Sequence, residues 1–335
     1  MENHKNILLD SHGRDHAYLR ISLIERCNLR CTYCMPEEGV SLSPKSHLMT
    51  YEEIYKIAKT FSDHGVTKIR LTGGEPLIRK DIPVILEKLA TLPVELSITS
   101  NAVIIDKFID VLKANGVNKI NVSLDSLDEG KFKHITRRNE FKKVYNNILL
   151  LVEEGFKVKV NAVLMKGFND NEIIDFINFT KDLPISVRFI EFMPFDGNKW
   201  DMGKMVSYAE VMKYVNEAFE NENFERLQDA PNDTAKNYKI KDYKGTFAII
   251  SSVTNPFCDS CNRLRLTANG QLKNCLFSSG ESDILTTLRA GKSIEPIIRK
   301  AVQAKFKVRG GMDTLKKLKE PKLHNNNRSM ITIGG

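Results

Sequence analysis

The sequence predicts an α/β fold: a parallel sheet bent into an incomplete barrel of six strand–helix units around a polar lumen. Three observations carry this expectation. Strand-like and helix-like runs alternate over residues 18–193, the pattern of parallel strands joined by right-handed crossovers. Six such units can be counted, against the eight of a complete barrel. The strands are also polar at every second position, whereas strands buried on both faces read as continuous apolar runs.

The first run, YLRISLI (18–24), sets Leu19, Ile21 and Leu23 against Arg20 and Ser22, because successive strand side chains point to opposite faces. The helix-like YEEIYKIAKTFSDHG (51–65) then stops at Gly65, a usual helix end. TKIRLT (67–72) sets Ile69 and Leu71 against Lys68, Arg70 and Thr72. VELSIT (94–99) is followed by IIDKFIDVLKANG (104–116), which ends at Gly116. NKINVSL (118–124) opposes Val122 and Leu124 to Asn121 and Ser123, with Asp125 continuing the polar face. After a helix-like stretch ending at Gly155, KVKVNAV (157–163) sets Val158, Val160 and Ala162 against Lys159 and Asn161. SVRFIEF (186–192) places Arg188 between Val187 and Phe189. Helices covering both sides of an open sheet serve such polar faces poorly; a shared lumen serves all of them. Past Met193 the alternation breaks: residues 194–237 read as loop and charged helix, TFAIISSV (246–253) as a strand, and the rest as irregular. At roughly 150 residues per domain, the 335 residues divide into a barrel core (1–230) and a C-terminal region (231–335).

An apolar content of 41% with 27% charged residues excludes a disordered, collagenous or coiled-coil chain. No apolar run approaches the ~20 residues of a membrane span, and MENHKNILLDSHGRDH lacks the apolar region of a signal peptide. A cytoplasmic protein with no membrane association is the expectation. In that reducing compartment the six cysteines read as metal ligands or catalytic groups. The net charge of +8 suits an anionic partner but does not choose among nucleic acid, nucleotide and acidic membrane.

Cys27, Cys31 and Cys34 form C-x3-C-x2-C just after the first strand, at the end where βα proteins build active sites. Structural zinc takes four protein ligands; a [4Fe–4S] cluster held by three cysteines keeps one iron open. Thr72-Gly73-Gly74-Glu75-Pro76 follows the second strand, where glycines let the backbone approach a ligand. Cys258, Cys261 and Cys275 form a second triad, C-x2-C-x13-C, open to a zinc ribbon or to a second cluster. Between them lies Asn262-Arg263-Leu264-Arg265, whose alternate guanidinium forks suit phosphate. With Arg20, Lys68, Arg70, Lys159 and Arg188 they make a cationic lumen, too costly to bury without partners. A nucleoside triphosphate answers that charge.

C-x3-C-x2-C with Tyr33 before its last cysteine, followed by GGEP, resembles the radical S-adenosylmethionine (SAM) superfamily. That superfamily's partial (βα)6 barrel, TIM-like but incomplete, matches the count of six units. LRISLIERCNLRCTYCMP, IRLTGGEP, INVSLDS, VKVNAV, RFIEFMP, FCDSCNRLRL and the terminal IGG, in this order, resemble the GTP 3′,8-cyclase family over almost the whole chain. The resemblance implies two [4Fe–4S] clusters, the second in a C-terminal extension that closes the barrel. Cys27, Cys31 and Cys34 would hold the cluster that binds SAM; Cys258, Cys261 and Cys275 would hold the one that meets the substrate. It places Tyr33, Gly74, Ser123 and Met193 at SAM. Arg20, Lys68, Arg70, Ser100, Lys159, Arg188, Arg263, Leu264 and Arg265 would lie at GTP. Arg263, Arg265 and the tail glycines Gly334 and Gly335 would serve catalysis.

The implied reaction begins molybdenum cofactor biosynthesis. A 5′-deoxyadenosyl radical takes H3′ from GTP, C3′ attacks guanine C8, and reduction gives (8S)-3′,8-cyclo-7,8-dihydroguanosine 5′-triphosphate. The implied partners are a one-electron donor protein, a downstream cyclic pyranopterin monophosphate synthase and a second copy in a homodimer, with no nucleic acid. A peptide-modifying radical SAM enzyme and a zinc-containing nucleic-acid-binding protein are the competing readings. In one place the chain departs from the family: Thr99-Ser100-Asn101-Ala102 stands where Thr-Thr-Asn-Gly is frequent. An alanine there is awkward if its φ is positive.

Overall fold

The computed structural model describes residues 6–35, 39–220, 223–320, 323 and 327–334. The expected alternation is present. β1 (Tyr18–Ser22), α1 (Tyr51–Asp63), β2 (Lys68–Thr72), α2 (Ile82–Ala90), β3 (Glu95–Ser100), α3 (Ile109–Ala114) and β4 (Lys119–Ser123) follow in order. α4 (Glu129–Thr136), α5 (Phe141–Glu153), β5 (Lys157–Leu164), α6 (Ile173–Asn178) and β6 (Ser186–Glu191) complete six units. Local chemistry sets the helix ends. Thr50 and Glu53 form a reciprocal capping box that starts α1. After α3, Gly116 turns the chain at φ 69°, and the Val117 N–H reaches back to the Leu112 carbonyl at 2.9 Å, satisfying a terminal carbonyl of the helix.

The C-terminal region adds strands to the same sheet instead of forming one of its own. After α7 (Tyr208–Ala218) come β7 (Phe224–Arg226), β8 (Lys236–Ile240), β9 (Thr246–Ile250), β10 (Arg263–Leu266), β11 (Gln271–Lys273) and β12 (Ser282–Asp283). The strand order is β12-β11-β10-β1-β2-β3-β4-β5-β6-β9-β8-β7. β10 runs parallel to β1, and β9 runs parallel to β6, so both edges of the six-stranded core are extended. The barrel is incomplete, as expected, but hydrogen-bonded closure by the extension is not what the ladder shows among the described residues. β7 and β12 remain its two ends, because the outermost strands pair antiparallel and outward.

The sheet is nevertheless strongly curved. Arg20 on β1 and Arg188 on β6 are five strand steps apart, which in a flat sheet would separate them by about 24 Å. Instead both line one cavity, and the Arg20 charge adds to burial in holding the Arg188 pKa down. The convex face carries the apolar set, including Leu19, Ile69, Ile98, Ile120, Val160 and Val187, all fully or nearly fully buried against the helices. The concave face carries the polar set. No helix among the described residues is long and apolar enough to cross a membrane.

Ala102, just past β3, has φ 59° and is completely buried. The left-handed conformation foreseen as awkward is therefore adopted; the Asn147 amide holds the Ala102 carbonyl at 2.7 Å. A β-branched side chain has neither the backbone freedom nor the space there. Ala102→Val is expected to lower the urea midpoint, with a stability loss of about 2 kcal/mol or more.

Candidate active site

The concave face encloses a cavity of about 620 Å³, with the C-terminal ends of the core strands and both cysteine triads on its wall. The loop after β1 delivers Cys27, Cys31 and Cys34. The N–H groups of Cys34 and Met35 both turn onto the Cys31 carbonyl, at 3.0 and 2.8 Å. Arg30 and Thr32 strap the loop to the end of α4 through the Thr136 and Ile135 carbonyls. The Leu29 N–H points at the Cys27 sulfur at 3.4 Å, and the Asn101 amide lies 3.6 Å from it.

The GGEP turn is locked into this loop. Gly74 N–H donates to the Ile24 carbonyl at 2.7 Å and Glu75 N–H to the Arg26 carbonyl at 2.8 Å. A Cβ on Gly74 would lie 2.1 Å from the Arg26 carbonyl oxygen, an impossible approach to backbone. The Glu75 carboxylate is fully buried and accepts from Leu77 N–H, Asn101 N–H and the Ser100 hydroxyl. Burial pushes its pKa up to about 7, against the pull of those donors. Tyr33 is pinned by its hydroxyl on Asp125, at 2.8 Å. Burial likewise raises Asp125, to about 6, although Val163 N–H and Tyr33 both donate to it.

Strand register brings the cations together. Arg265, Arg20, Arg70 and Ser97 lie side by side across β10, β1, β2 and β3. The Tyr18 ring packs within 5.5–5.6 Å of Arg20, Lys68, Arg70 and Arg263, a favourable cation–π geometry. Burial, with Arg20, Arg188 and Arg263 nearby, holds Arg70 down to about 10. Burial and the neighbouring Arg188 and Arg70 hold Lys159 down to about 7. Lys68 has its own acid, Glu95 at 2.7 Å, and the Asp233 charge acts on Lys159 and Arg188. Among the described residues, Arg20, Arg70, Lys159, Arg188, Arg263 and Arg265 form no ion pair. Buried polar atoms there lack partners: Tyr18 Oη, Arg20 Nε, Asn121 Oδ1, Asn161 Oδ1, Arg188 Nε, and Nε and Nη1 of Arg263.

The second triad sits on the same cavity. Arg309 N–H points at the Cys258 sulfur at 3.4 Å, and the Lys305 ammonium at that of Cys261 at 3.5 Å. Arg14 braces the Cys258 carbonyl at 2.8 Å. His16 stands behind Lys305; burial and the Lys305 charge push its pKa down to about 4, leaving the imidazole neutral at pH 7. All six cysteines are free and half-buried. Among the described residues no group of three or more His, Cys, Asp or Glu is arranged to hold a metal ion. Thiolates that serve separate irons of a cluster need a common wall and N–H donors rather than one meeting point. Both triads provide that wall and those donors, so their residues fit iron–sulfur ligation.

Tyr33, Gly74, Ser123, Met193, Arg20, Lys68, Arg70, Ser100, Lys159, Arg188, Arg263 and Arg265 all line the cavity with the six cysteines. Leu264 and Ser100 take particular positions. The Leu264 side chain is wholly buried in the apolar core, because strand alternation turns it away from the lumen-facing Arg263 and Arg265; it has only its peptide group to offer. The Ser100 hydroxyl is taken up by Glu75 and the Ala102 N–H. Thr99, in register with Asn121, is the adjacent hydroxyl on the lumen wall. Gly334 has φ 87°, packs on Ser22 and Thr72, and presents its carbonyl to Arg265 at 3.1 Å; Gly335 lies outside the described residues. Tyr18, Asn101, Asn121, Asp125 and Asn161 were not singled out from the sequence. Alternation marks Asn121, Asp125 and Asn161 as sharing the polar faces, but not as different from solvated polar residues.

A curved parallel sheet with a cysteine triad after β1, GGEP after β2 and a cationic lumen defines the class: a radical SAM barrel. Residues 21–180 match the family model of the Radical SAM superfamily, and residues 185–310 match that of Molybdenum Cofactor Synthesis C. The chain is 47% identical to the Arabidopsis thaliana "GTP 3′,8-cyclase, mitochondrial", covering 98% of this chain and 84% of that protein. It is 46% identical to the Mus musculus "Molybdenum cofactor biosynthesis protein 1" over 98% of this chain, and spans about half (51%) of that relative's length. The crystal structure of Streptococcus suis SuiB bound to S-adenosylmethionine shares the fold: TM-score 0.62, 18% identity, 88% of this chain and 70% of that one. The chain belongs to the GTP 3′,8-cyclase family of radical SAM enzymes.

Gly74→Ala tests the lock between GGEP and the triad loop. The added methyl must displace the backbone of Arg26 and Cys27. SAM cleavage by the reconstituted protein is expected to fall on the order of a hundredfold, the scale set by a ~1 Å displacement of reacting groups, with less iron retained by the N-terminal triad.

Proposed function

We propose that this chain is itself a GTP 3′,8-cyclase, converting GTP to (8S)-3′,8-cyclo-7,8-dihydroguanosine 5′-triphosphate at the start of molybdenum cofactor biosynthesis. The observation that carries the reading is the lumen: buried and half-buried cations that form no ion pair among the described residues, set between two cysteine triads in one cavity. Its volume of about 620 Å³ lies within the usual ~300–1,000 Å³ of small-molecule sites. A polyanion there meets guanidinium forks already aimed inward, so little is lost in ordering them.

In this reading Cys27, Cys31 and Cys34 hold one [4Fe–4S] cluster, and Tyr33, Gly74, Ser123 and Met193 shape the SAM pocket beside it. When bound, cluster and SAM supply the 5′-deoxyadenosyl radical. Arg20, Arg70, Lys159, Arg188 and Arg263 grip the triphosphate and place the ribose against the SAM side. Asn121, Asn161 and Tyr18 offer their unpartnered polar atoms to the nucleotide. Cys258, Cys261 and Cys275 hold a second [4Fe–4S] cluster facing the base. Arg265, steadied by the Gly334 carbonyl, brings the tail to the reacting end. The barrel core of residues 1–230 thus holds SAM and lends Arg20, Arg70, Lys159 and Arg188 to the triphosphate, while residues 231–335 add the second triad, Arg263, Arg265 and the tail. A one-electron donor protein and an enzyme consuming the cyclic nucleotide complete the route.

Anaerobic reconstitution with iron and sulfide, then SAM and a strong reductant with or without GTP, tests this directly. 5′-Deoxyadenosine together with a cyclised GTP species, seen by mass spectrometry only when GTP is present, is the expected result. SAM cleavage with GTP unchanged would refute the substrate assignment.

Lys159 adds a pH signature. In the free protein it deprotonates at about 7; a bound triphosphate raises that value. Below pH 7 the lysine is charged in both states and affinity is full. Above pH 7 binding must take up a proton, so GTP affinity is expected to fall by up to about tenfold per pH unit. Calorimetry in buffers of different ionisation enthalpy should show this proton uptake at pH 7.5–8 in the native chain and lose it in Lys159→Met.

A further inference from the structure

Behind the second triad lies a buried lysine to which the proposed chemistry gives no part. Lys305 is only 3% exposed. Its Nζ faces three acceptors: Nε2 of His16 at 2.8 Å, the Arg263 carbonyl at 2.9 Å and the Cys261 sulfur at 3.5 Å. An ammonium has three N–H donors and nothing to accept with, so this set uses it completely. The His16 tautomer is decided at the other ring nitrogen: Nδ1 lies 2.8 Å from the Leu8 carbonyl and must donate to it, which leaves the Nε2 lone pair for Lys305.

What the network lacks, among the described residues, is a carboxylate paired with Lys305. Asp10 lies 3.8 Å from His16 Nε2, but its carboxylate is bonded to Arg14 at 2.7 Å and so is already matched by a cation. A buried cation without an anion is strongly disfavoured. Of the three groups Lys305 touches, only the cysteine can become negative, and it does so on binding iron. The two triads differ here. The N–H donors that reach Cys27, from Leu29 and Asn101, are neutral, whereas Cys261 has a buried ammonium.

We propose that Lys305, oriented by His16, is a positioning residue for the C-terminal cluster: it donates to the Cys261 sulfur, raises that cluster's reduction potential, and ties the cluster to the substrate strand through the Arg263 carbonyl. Hydrogen bonds to ligating sulfurs and nearby charge are what set the potential of such clusters. The assignment rests on the reading of Cys258, Cys261 and Cys275 as cluster ligands.

The test uses the full chain carrying Cys27→Ala, Cys31→Ala and Cys34→Ala, reconstituted anaerobically so that iron is confined to the C-terminal triad. Its midpoint is read by an EPR redox titration, with iron and sulfide content measured in parallel. Lys305→Met in this background is expected to shift the midpoint to lower potential at unchanged iron content, and Lys305→Arg to restore most of the shift. A fully loaded Lys305→Met cluster with the parent's midpoint overturns the assignment. Should Lys305→Met fail to retain iron, His16→Leu decides: it keeps the ammonium but removes its orienting acceptor. A smaller shift in the same direction then supports the assignment, and an unmoved midpoint overturns it. If the parent background itself binds no iron, the cluster reading fails first and takes the lysine assignment with it.

Discussion

The structure is organised around a concentration of like charge that the curvature of the sheet gathers into one lumen. Five arginines and a lysine, from β1, β2, β5, β6 and β10, face one lumen and form no ion pair among the described residues. Their mutual repulsion and burial are visible in the lowered pKa values of Arg70, Lys159, Arg188, Arg263 and Arg265. Partial relief comes from groups that carry no formal charge. The Tyr18 ring meets four of the cations, and such contacts contribute about 0.5–2 kcal/mol each. The Asn232 and Gly334 carbonyls accept from Arg263 and Arg265. In the proposed reading, what remains uncompensated in the free chain is recovered when a polyanion enters. This is preorganisation: the electrostatic cost is met by folding rather than by binding.

The opposite problem is solved at the C-terminal ends of β2 and β4. There carboxylates, not cations, are buried, and each is surrounded by donors. Glu75 joins GGEP to the end of β3, and Asp125 joins Tyr33 to β5. These two acids hold the triad loop and the strand ends as one rigid assembly. Gly74 is part of the same construction, because its missing side chain is what allows the Arg26 carbonyl to approach. A centre that generates a radical needs such rigidity, since its specificity depends on which hydrogen lies nearest.

The C-terminal region completes the lumen by pairing rather than by packing alone. Placing β10 parallel to β1 puts Arg263 beside Tyr18 and Arg265 beside Arg20, although more than two hundred residues separate them in the chain. The same strand positions Cys261 over Lys305 and brings the second triad to the cavity that the first one shares. One ladder thereby couples the lumen cations to both cysteine sites.

The sequence by itself determined what local patterning can determine. Period-two alternation identified the lumen faces of β1, β2, β4, β5 and β6, since strand geometry leaves a side chain no other choice. Cysteine spacing and GGEP identified both triads and the turn beside the first, and glycines marked the helix ends. The tertiary structure alone decided matters of register and of partners. That β9 and β10 flank the six-stranded core, that Lys68 has Glu95 while Arg20 forms no ion pair among the described residues, and that Leu264 faces the core all depend on pairing between distant segments. The same holds for the spent hydroxyl of Ser100 and for the meeting of Lys305 with His16 and Cys261. Such contacts carry no local signal, because the energy that selects them is released only when the whole sheet has formed.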